Sequence, residues 1–250
     1  MAGKSVLQPK SLIDHLEEEK RSGNRSVEHF SGFGVMGLTF SSGHILGLRR
    51  FPSSSVGPGY TSVWFRNPQG RWSFFQNVQP DMACPRYFGK AISKSLVRNI
   101  NITWTSAQCF TVTIGEDVDL SWKVRLTSTS STRIMNTISK LIPGFFWHNK
   151  IFLKVMSGFA GRFLKAGHIG MFGKTPNGQW FKANPKKIWI VESSSASLRG
   201  NDFGNIEPLQ HQAKLGDFWI PQVGIFAIGD ADFELFKPTK HQLITSLQRV

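Results

Sequence analysis

The clearest pattern in the chain is the alternation from Asp117 to Thr127. Val118, Leu120, Trp122, Val124 and Leu126 fall on one side, and Asp117, Asp119, Ser121, Lys123, Arg125 and Thr127 on the other. Successive side chains of a strand point to opposite faces, so this segment predicts a strand with one buried and one wet face. Shorter apolar runs bounded by turn residues predict strands at Tyr60 to Arg66, Trp72 to Val78, Ile100 to Ile114, Ile188 to Val191 and Gly224 to Phe236. Three segments break the rhythm. Lys10 to Arg21 reads as a short amphipathic helix with Ser11 as N-cap. Thr132 to Leu141 reads as a helix that Pro143-Gly144 stops. His148 to Ala166 reads as a second helix. Its stripe of Phe152, Met156, Phe159 and Phe163 is set to cover a β core, opposite Lys150, Lys154, Arg162 and Lys165. Gly158 and Gly161 weaken it by about 1 kcal/mol each, so it relies on tertiary packing.

An internal echo bears on the architecture. Asn67-Pro68-Gln69-Gly70-Arg71-Trp72 and Thr175-Pro176-Asn177-Gly178-Gln179-Trp180 share the spelling polar-Pro-polar-Gly-polar-Trp. Proline second and glycine fourth suit a type I turn, with the Trp opening the next strand. Gly-His-Ile lies upstream of each turn, at residues 43–45 and 167–169. The layout predicts a mainly β protein of two antiparallel lipocalin-like barrels or sheets, with a helical insertion and a short N-terminal helix. Residues 1–29 form the N-terminal helix and extension, 30–130 the first barrel-like half, 131–166 the helical connection and 167–250 the second half.

Composition narrows the class. The 250 residues are 40% hydrophobic and 18% charged, enough apolar content for a real core. Two cysteines, Cys84 and Cys109, cannot build a disulfide framework or a four-thiolate zinc site. No apolar run reaches the length of a membrane span. The first twenty residues hold no apolar stretch and include Glu17-Glu18-Glu19, so a cytoplasmic protein, peripheral to membrane at most, is expected. The formal charge of +14 is uneven: residues 30–191 hold four acids and twenty bases, while both ends are nearly neutral. Such a field attracts anionic partners.

Several apparent motifs lack their context. Gly32-Phe33-Gly34-Val35-Met36-Gly37 spells a dinucleotide loop, but no helix follows it. Its glycines predict close strand approach or a bulge. Gly173-Lys174-Thr175 lacks the upstream glycine of a phosphate loop, and Pro176 follows where a helix should begin. Lys186-Lys187 reads as a solvated pair rather than a Schiff-base lysine. Asn24-Arg25-Ser26 and Asn101-Ile102-Thr103 spell glycosylation sequons that mean little without a secretory signal. Cys84 beside Arg86 reads as a buried thiol next to a turn. The seven histidines show no zinc spacing, and neither a metal nor another cofactor is expected. Acids are scarce before residue 192, so acid-base chemistry would draw on Asp217, Asp230, Asp232 or Glu234. His211 with Asp217 is the best such pair, against the simpler alternative that Asp217 caps a turn.

The repeated turns, Pro68 to Trp72 and Pro176 to Trp180, and the duplicated β layout over 30–238 resemble the double-lipocalin-like proteins that include carotenoid hydratases of the hydroxyneurosporene synthase type. The resemblance implies a barrel that holds an apolar ligand such as an isoprenoid or fatty acyl chain. It carries no site residue over. One expectation is therefore apolar small-molecule binding, with cofactor-free hydratase- or isomerase-type chemistry as its catalytic form. Trp64, Trp104, Trp122, Trp189 and Trp219 are the candidate lining, and His44, His168, His211 and Asp217 the candidate polar groups. The alternative is a basic module for an anionic membrane or nucleic acid, docking through helix 148–166. Nucleic acid is disfavoured because the aromatics follow core periodicity.

Overall fold

A computed structural model describes residues 8–18, 26–115 and 117–242. The fold is mainly β, with a short N-terminal helix and a helical insertion. The main sheet runs through β1 (Glu28–Val35), β2 (Ile45–Ser54), β3 (Tyr60–Arg66), β4 (Trp72–Gln76), β5 (Lys94–Val97), β6 (Ile100–Trp104), β7 (Cys109–Ile114), β8 (Leu120–Thr127), β9 (Trp180–Leu198) and β10 (Ile225–Phe233). Their spatial order is β5-β4-β3-β2-β1-β10-β9-β8-β7-β6. That is the chain order wrapped into a ring, and strands from both halves of the chain share one sheet. β5 and β6 stand at opposite ends of this order, yet only Arg98 and Asn99 separate them in sequence. A link of two residues reaches about 10 Å. The sheet must therefore curl until its edges approach, which gives a half-barrel.

β8 alternates as the pattern predicts, with Leu120, Trp122, Val124 and Leu126 buried. It starts at Leu120 rather than Asp117 because Asp119 adopts φ 48° in a turn. The two echoed turns are the same hairpin. Gly70 N–H donates to Asn67 O and Asn67 N–H to Arg71 O; Gly178 N–H donates to Thr175 O and Thr175 N–H to Gln179 O. Gly70 and Gly178 take φ of 85° and 94°, the left-handed position that closes a three-residue loop. Trp72 opens β4 and Trp180 opens β9. The glycines of Gly32-Phe33-Gly34 bring β1 against β2. A Cβ would lie 2.0 Å from Arg50 O at Gly32 and 1.9 Å from Leu48 O at Gly34.

Helix α1 spans Pro9–Glu18; residues 19–21 of the predicted helix and Asn24 of the first sequon lie outside the described residues. Helix α2 (Ser130–Leu141) is closed at its start by a capping box between Thr129 and Thr132. Helix α3 (Lys150–Phe163) is capped by Asn149, whose Oδ1 accepts from Ile151 N and Phe152 N. Its buried stripe is Leu153, Met156 and Ala160, not the predicted phenylalanine stripe. Phe159 is 44% exposed, and Phe152 and Phe163 are half-buried. Ala160 and Gly161 take the inner side at the end of the helix, where it runs close to the following loop: a Cβ on Gly161 would lie 2.2 Å from Gly167 O.

α2 is tied to the sheet at a defect. β9 is bulged between Pro185 and Lys187. Proline brings no N–H to a ladder, and bulges leave strand groups unpaired. Asn136 of α2 binds the strand just past this bulge: its Nδ2 donates to Ile188 O at 2.9 Å and its Oδ1 accepts from Ile188 N at 2.8 Å.

Candidate functional site

Between the sheet and the helical insertion lies a cavity of about 170 Å³. β1, β2, β3, β9 and β10 supply one wall; α2, α3 and Trp147 supply the roof. Phe33, Trp64, Phe88, Met156 and Phe218 make much of the surface apolar. Two charged residues reach it, Arg49 and Asp230. Asp230 pairs with Lys186 at 2.5 Å.

Arg49 is different. It sits on β2 within the buried run Ile45 to Arg49, only 5% exposed. Its Nη1 donates to Val35 O at 2.5 Å and Leu48 O at 2.8 Å, and its Nη2 to Met36 O at 3.1 Å. The guanidinium carbon lies 4.5 Å from the Trp64 ring centroid and 5.3 Å from that of Phe218. Three of its five N–H groups are thus used on carbonyls, and it forms no ion pair with a carboxylate among the described residues. Burial lowers its pKa to about 10, so it stays charged at neutral pH. The titratable neighbours that act on it are Cys84 and Tyr60. Burial pushes the Cys84 thiol up, and the Tyr60 hydroxyl well up, so both are neutral there. Tyr60 Oη lies 3.4 Å from Cys84 Sγ. A buried cation without a counter-ion is costly, and carbonyl dipoles and aromatic faces offset only part of that cost.

Two further polar groups border this region. The Glu28 carboxylate accepts from Arg86 Nη2 at 2.7 Å, Tyr87 Oη at 2.6 Å and Gln179 Nε2 at 3.1 Å. Burial raises its pKa, but these donors and the Arg86 charge outweigh that and hold it below the usual carboxylate range. His29 Nδ1 lies 2.6 Å from Asp232 Oδ1, beside a smaller polar pocket that shares Trp147, Asn184 and Asp230 with the main cavity. The bond to Asp232 raises the His29 pKa.

The sequence-predicted residues divide. Trp64 and Trp219 line the cavity. Trp104, Trp122 and Trp189 pack elsewhere, in the closed core of the sheet with Phe110 and Phe226. His44 stacks on Phe203, with centroids 4.1 Å apart, away from the cavity. The His168 ring lies 4.8 Å from Trp219 but is exposed. His211 is exposed, and no hydrogen bond joins it to Asp217 among the described residues. Asp217 Oδ2 instead accepts from Lys174 N at 2.8 Å, holding a turn. Arg86 serves Glu28 rather than Cys84, whose cationic neighbour is Arg49. Lys186 and Lys187 do not line the cavity. Arg49, Glu28 and His29 went unnoticed as site residues. The signal for Arg49 was a lone cation ending the apolar run Ile45-Leu46-Gly47-Leu48.

No family model matches the chain, and no curated protein matches it. The carotenoid hydratase resemblance therefore gains no family support. Two solved structures of acetoacetate decarboxylases are similar in outline. One, from Legionella pneumophila subsp. pneumophila str. Philadelphia 1, is 9% identical, with 98% of each chain covered and a TM-score of 0.39. The other is 10% identical over 92% of this chain and 97% of that one, with a TM-score of 0.38. Scores this low assign neither a family nor a reaction.

Proposed function

We propose that this protein binds a small apolar molecule bearing one anionic group, with the apolar part in the cavity and the anion against Arg49. The observation that carries this reading is a cavity with mainly apolar walls and one buried cation that has no carboxylate partner among the described residues. The volume sets the scale. A protein cavity of about 150 Å³ takes up benzene, so about six to ten non-hydrogen atoms suit this one. Within the isoprenoid and fatty-acyl class that selects a short chain. Any proton transfer of hydratase or isomerase type would fall to His29 and Asp232, which lie at hydrogen-bond distance next to the cavity.

Hexanoate and hexan-1-ol make the test, read by the fluorescence of Trp64 and its neighbours. A charge-assisted contact exceeds a neutral one by enough to make hexanoate bind about tenfold tighter at neutral pH. Arg49→Met should erase that preference while leaving hexan-1-ol binding intact, which also shows that the cavity still forms. Saturable binding of neither molecule would remove the reading. Equal binding of both to the wild type would keep an apolar site and remove the anionic group.

A further inference from the structure

The helical insertion has an outer face as well as a roof. Among the described residues nine large hydrophobic side chains are exposed, and seven of them lie between residues 134 and 159. Ile151, Val155 and Phe159 recur every four residues, so they form one outward stripe along α3, with exposures of 75%, 64% and 44%. Phe145 and Phe146, 69% and 39% exposed, continue it at the turn before the helix. Phe146 reaches the helix through Phe152, with centroids 5.5 Å apart. Leu141, at the end of α2, is also exposed, at 76%. A soluble surface rarely gathers apolar groups in this way without something to cover them.

The charges beside the stripe say what covers it. Lys150, Lys154, Arg162 and Lys165 of the same segment are exposed, as are Arg133 and Lys140 of α2. No acid occurs between residues 120 and 191. A second copy of the chain would bring this face against itself, cation against cation, with no carboxylate of its own to answer them. A nucleic acid would answer the cations but leave Ile151, Val155 and Leu141 wet. An anionic bilayer meets both demands: headgroups pair with the basic residues while the apolar stripe enters the acyl boundary. No helix among the described residues is long and apolar enough to cross a membrane, so the contact is one of lying on the surface.

We propose that the outer face of α2, α3 and the turn between them docks on an anionic lipid bilayer, with Phe145, Ile151 and Val155 inserted and Lys154 and Arg162 on the headgroups. The test is co-sedimentation of the full chain with vesicles of phosphatidylcholine alone and of phosphatidylcholine with phosphatidylserine. The protein should pellet with the mixed vesicles at low salt, stay in solution with the neutral ones, and be released at about 0.5 M NaCl. Two variants change only exposed positions: Ile151→Ser with Val155→Ser, and Lys154→Glu with Arg162→Glu. Each pair should weaken binding at least about thirtyfold without changing the circular dichroism spectrum. Failure to pellet at low salt would overturn the proposal, as would vesicle binding that both variants leave unchanged. A wild type that is dimeric and vesicle-free, with a monomeric Ile151→Ser/Val155→Ser variant, would give the face to a second copy. Salt-sensitive binding of duplex DNA without vesicle binding would give it to nucleic acid.

Discussion

Glu28 shows how one side chain can tie distant parts of the chain together. It opens β1, while its donors come from the helical turn at Arg86 and Tyr87 and from the second hairpin at Gln179. The Phe236 amide adds a fourth contact at 3.3 Å. Glu28→Ala would leave the half-buried Arg86 without its carboxylate and Tyr87 without an acceptor. Removing one partner of a buried pair costs about 3–5 kcal/mol, so the urea midpoint should fall sharply. The pH dependence has a definite sign. A folded pKa held below the ordinary glutamate value of 4.5 means that Glu28 adds stability above that pH, and the gain disappears as pH falls through the lowered value. His29 acts at the other end of the range. Its pKa is raised above 6.5 by Asp232, so its contribution is full below that pH and is lost as pH rises through the raised value. Asp232→Asn should remove the alkaline part of this dependence and leave the acid part. Urea midpoints measured across pH check both; an unchanged alkaline limb would mean that His29 is not held by Asp232.

At the scale of elements, the two glycines of α3 make a matched pair. Both weaken a helix by intrinsic propensity. Gly158 faces open space, whereas a Cβ on Gly161 would collide with Gly167 O at 2.2 Å. Gly158→Ala should therefore stabilise by about 0.5–1 kcal/mol, and Gly161→Ala should destabilise despite its better propensity. Thermal melts of the two variants moving in the same direction would contradict this account of the loop contact. The same helix marks where the sequence was legible and where it was not. Its existence followed from periodicity, the end of α2 from Pro143, and β8 from strict alternation. Both turns followed from proline and glycine at fixed offsets. Which side of α3 faces inward did not follow, because Phe152, Phe159 and Phe163 carry a stronger apolar signal than Ala160 and Gly161. The decisive fact, the Gly167 carbonyl beside the helix, is a long-range approach with no local signature. Arg49 was hidden for a similar reason. A single cation in a strand reads as solvated until the strand is known to be buried on both sides. The His211 and Asp217 pair came from closeness in sequence, but Asp217 is used by a backbone amide 43 residues upstream.

For the whole molecule, the ring-like strand order and the charge excess act together. The curled sheet brings cations from most of the chain onto one body, and several of the sixteen acids are committed to pairs. Glu17 meets Arg50, Glu28 meets Arg86, Asp117 meets Arg98, Asp230 meets Lys186 and Glu234 meets Lys240. With a formal charge of +14, cations remain in excess after these pairs are made. Their mutual repulsion opposes the compact state, and it acts over distances that salt screens. The exposed pairs contribute little each, about 0–1 kcal/mol, while the Glu28 network is sheltered from the solvent. Screening should then relieve more repulsion than it loses in attraction. The midpoint of thermal unfolding is expected to rise by a few degrees between about 0.02 M and about 0.2 M NaCl, near the range where the Debye length shrinks to molecular spacing. A falling midpoint would mean that the ion pairs outweigh the repulsion. The helical cap should take part in this response, because its six exposed cations have no acid among them from residue 120 to 191. Lys154→Glu with Arg162→Glu should therefore raise the midpoint at low salt and flatten its rise with salt, even as it weakens docking on anionic vesicles. Opposite effects of one change on stability and on binding are what a surface held for a partner, at some cost to the free protein, requires.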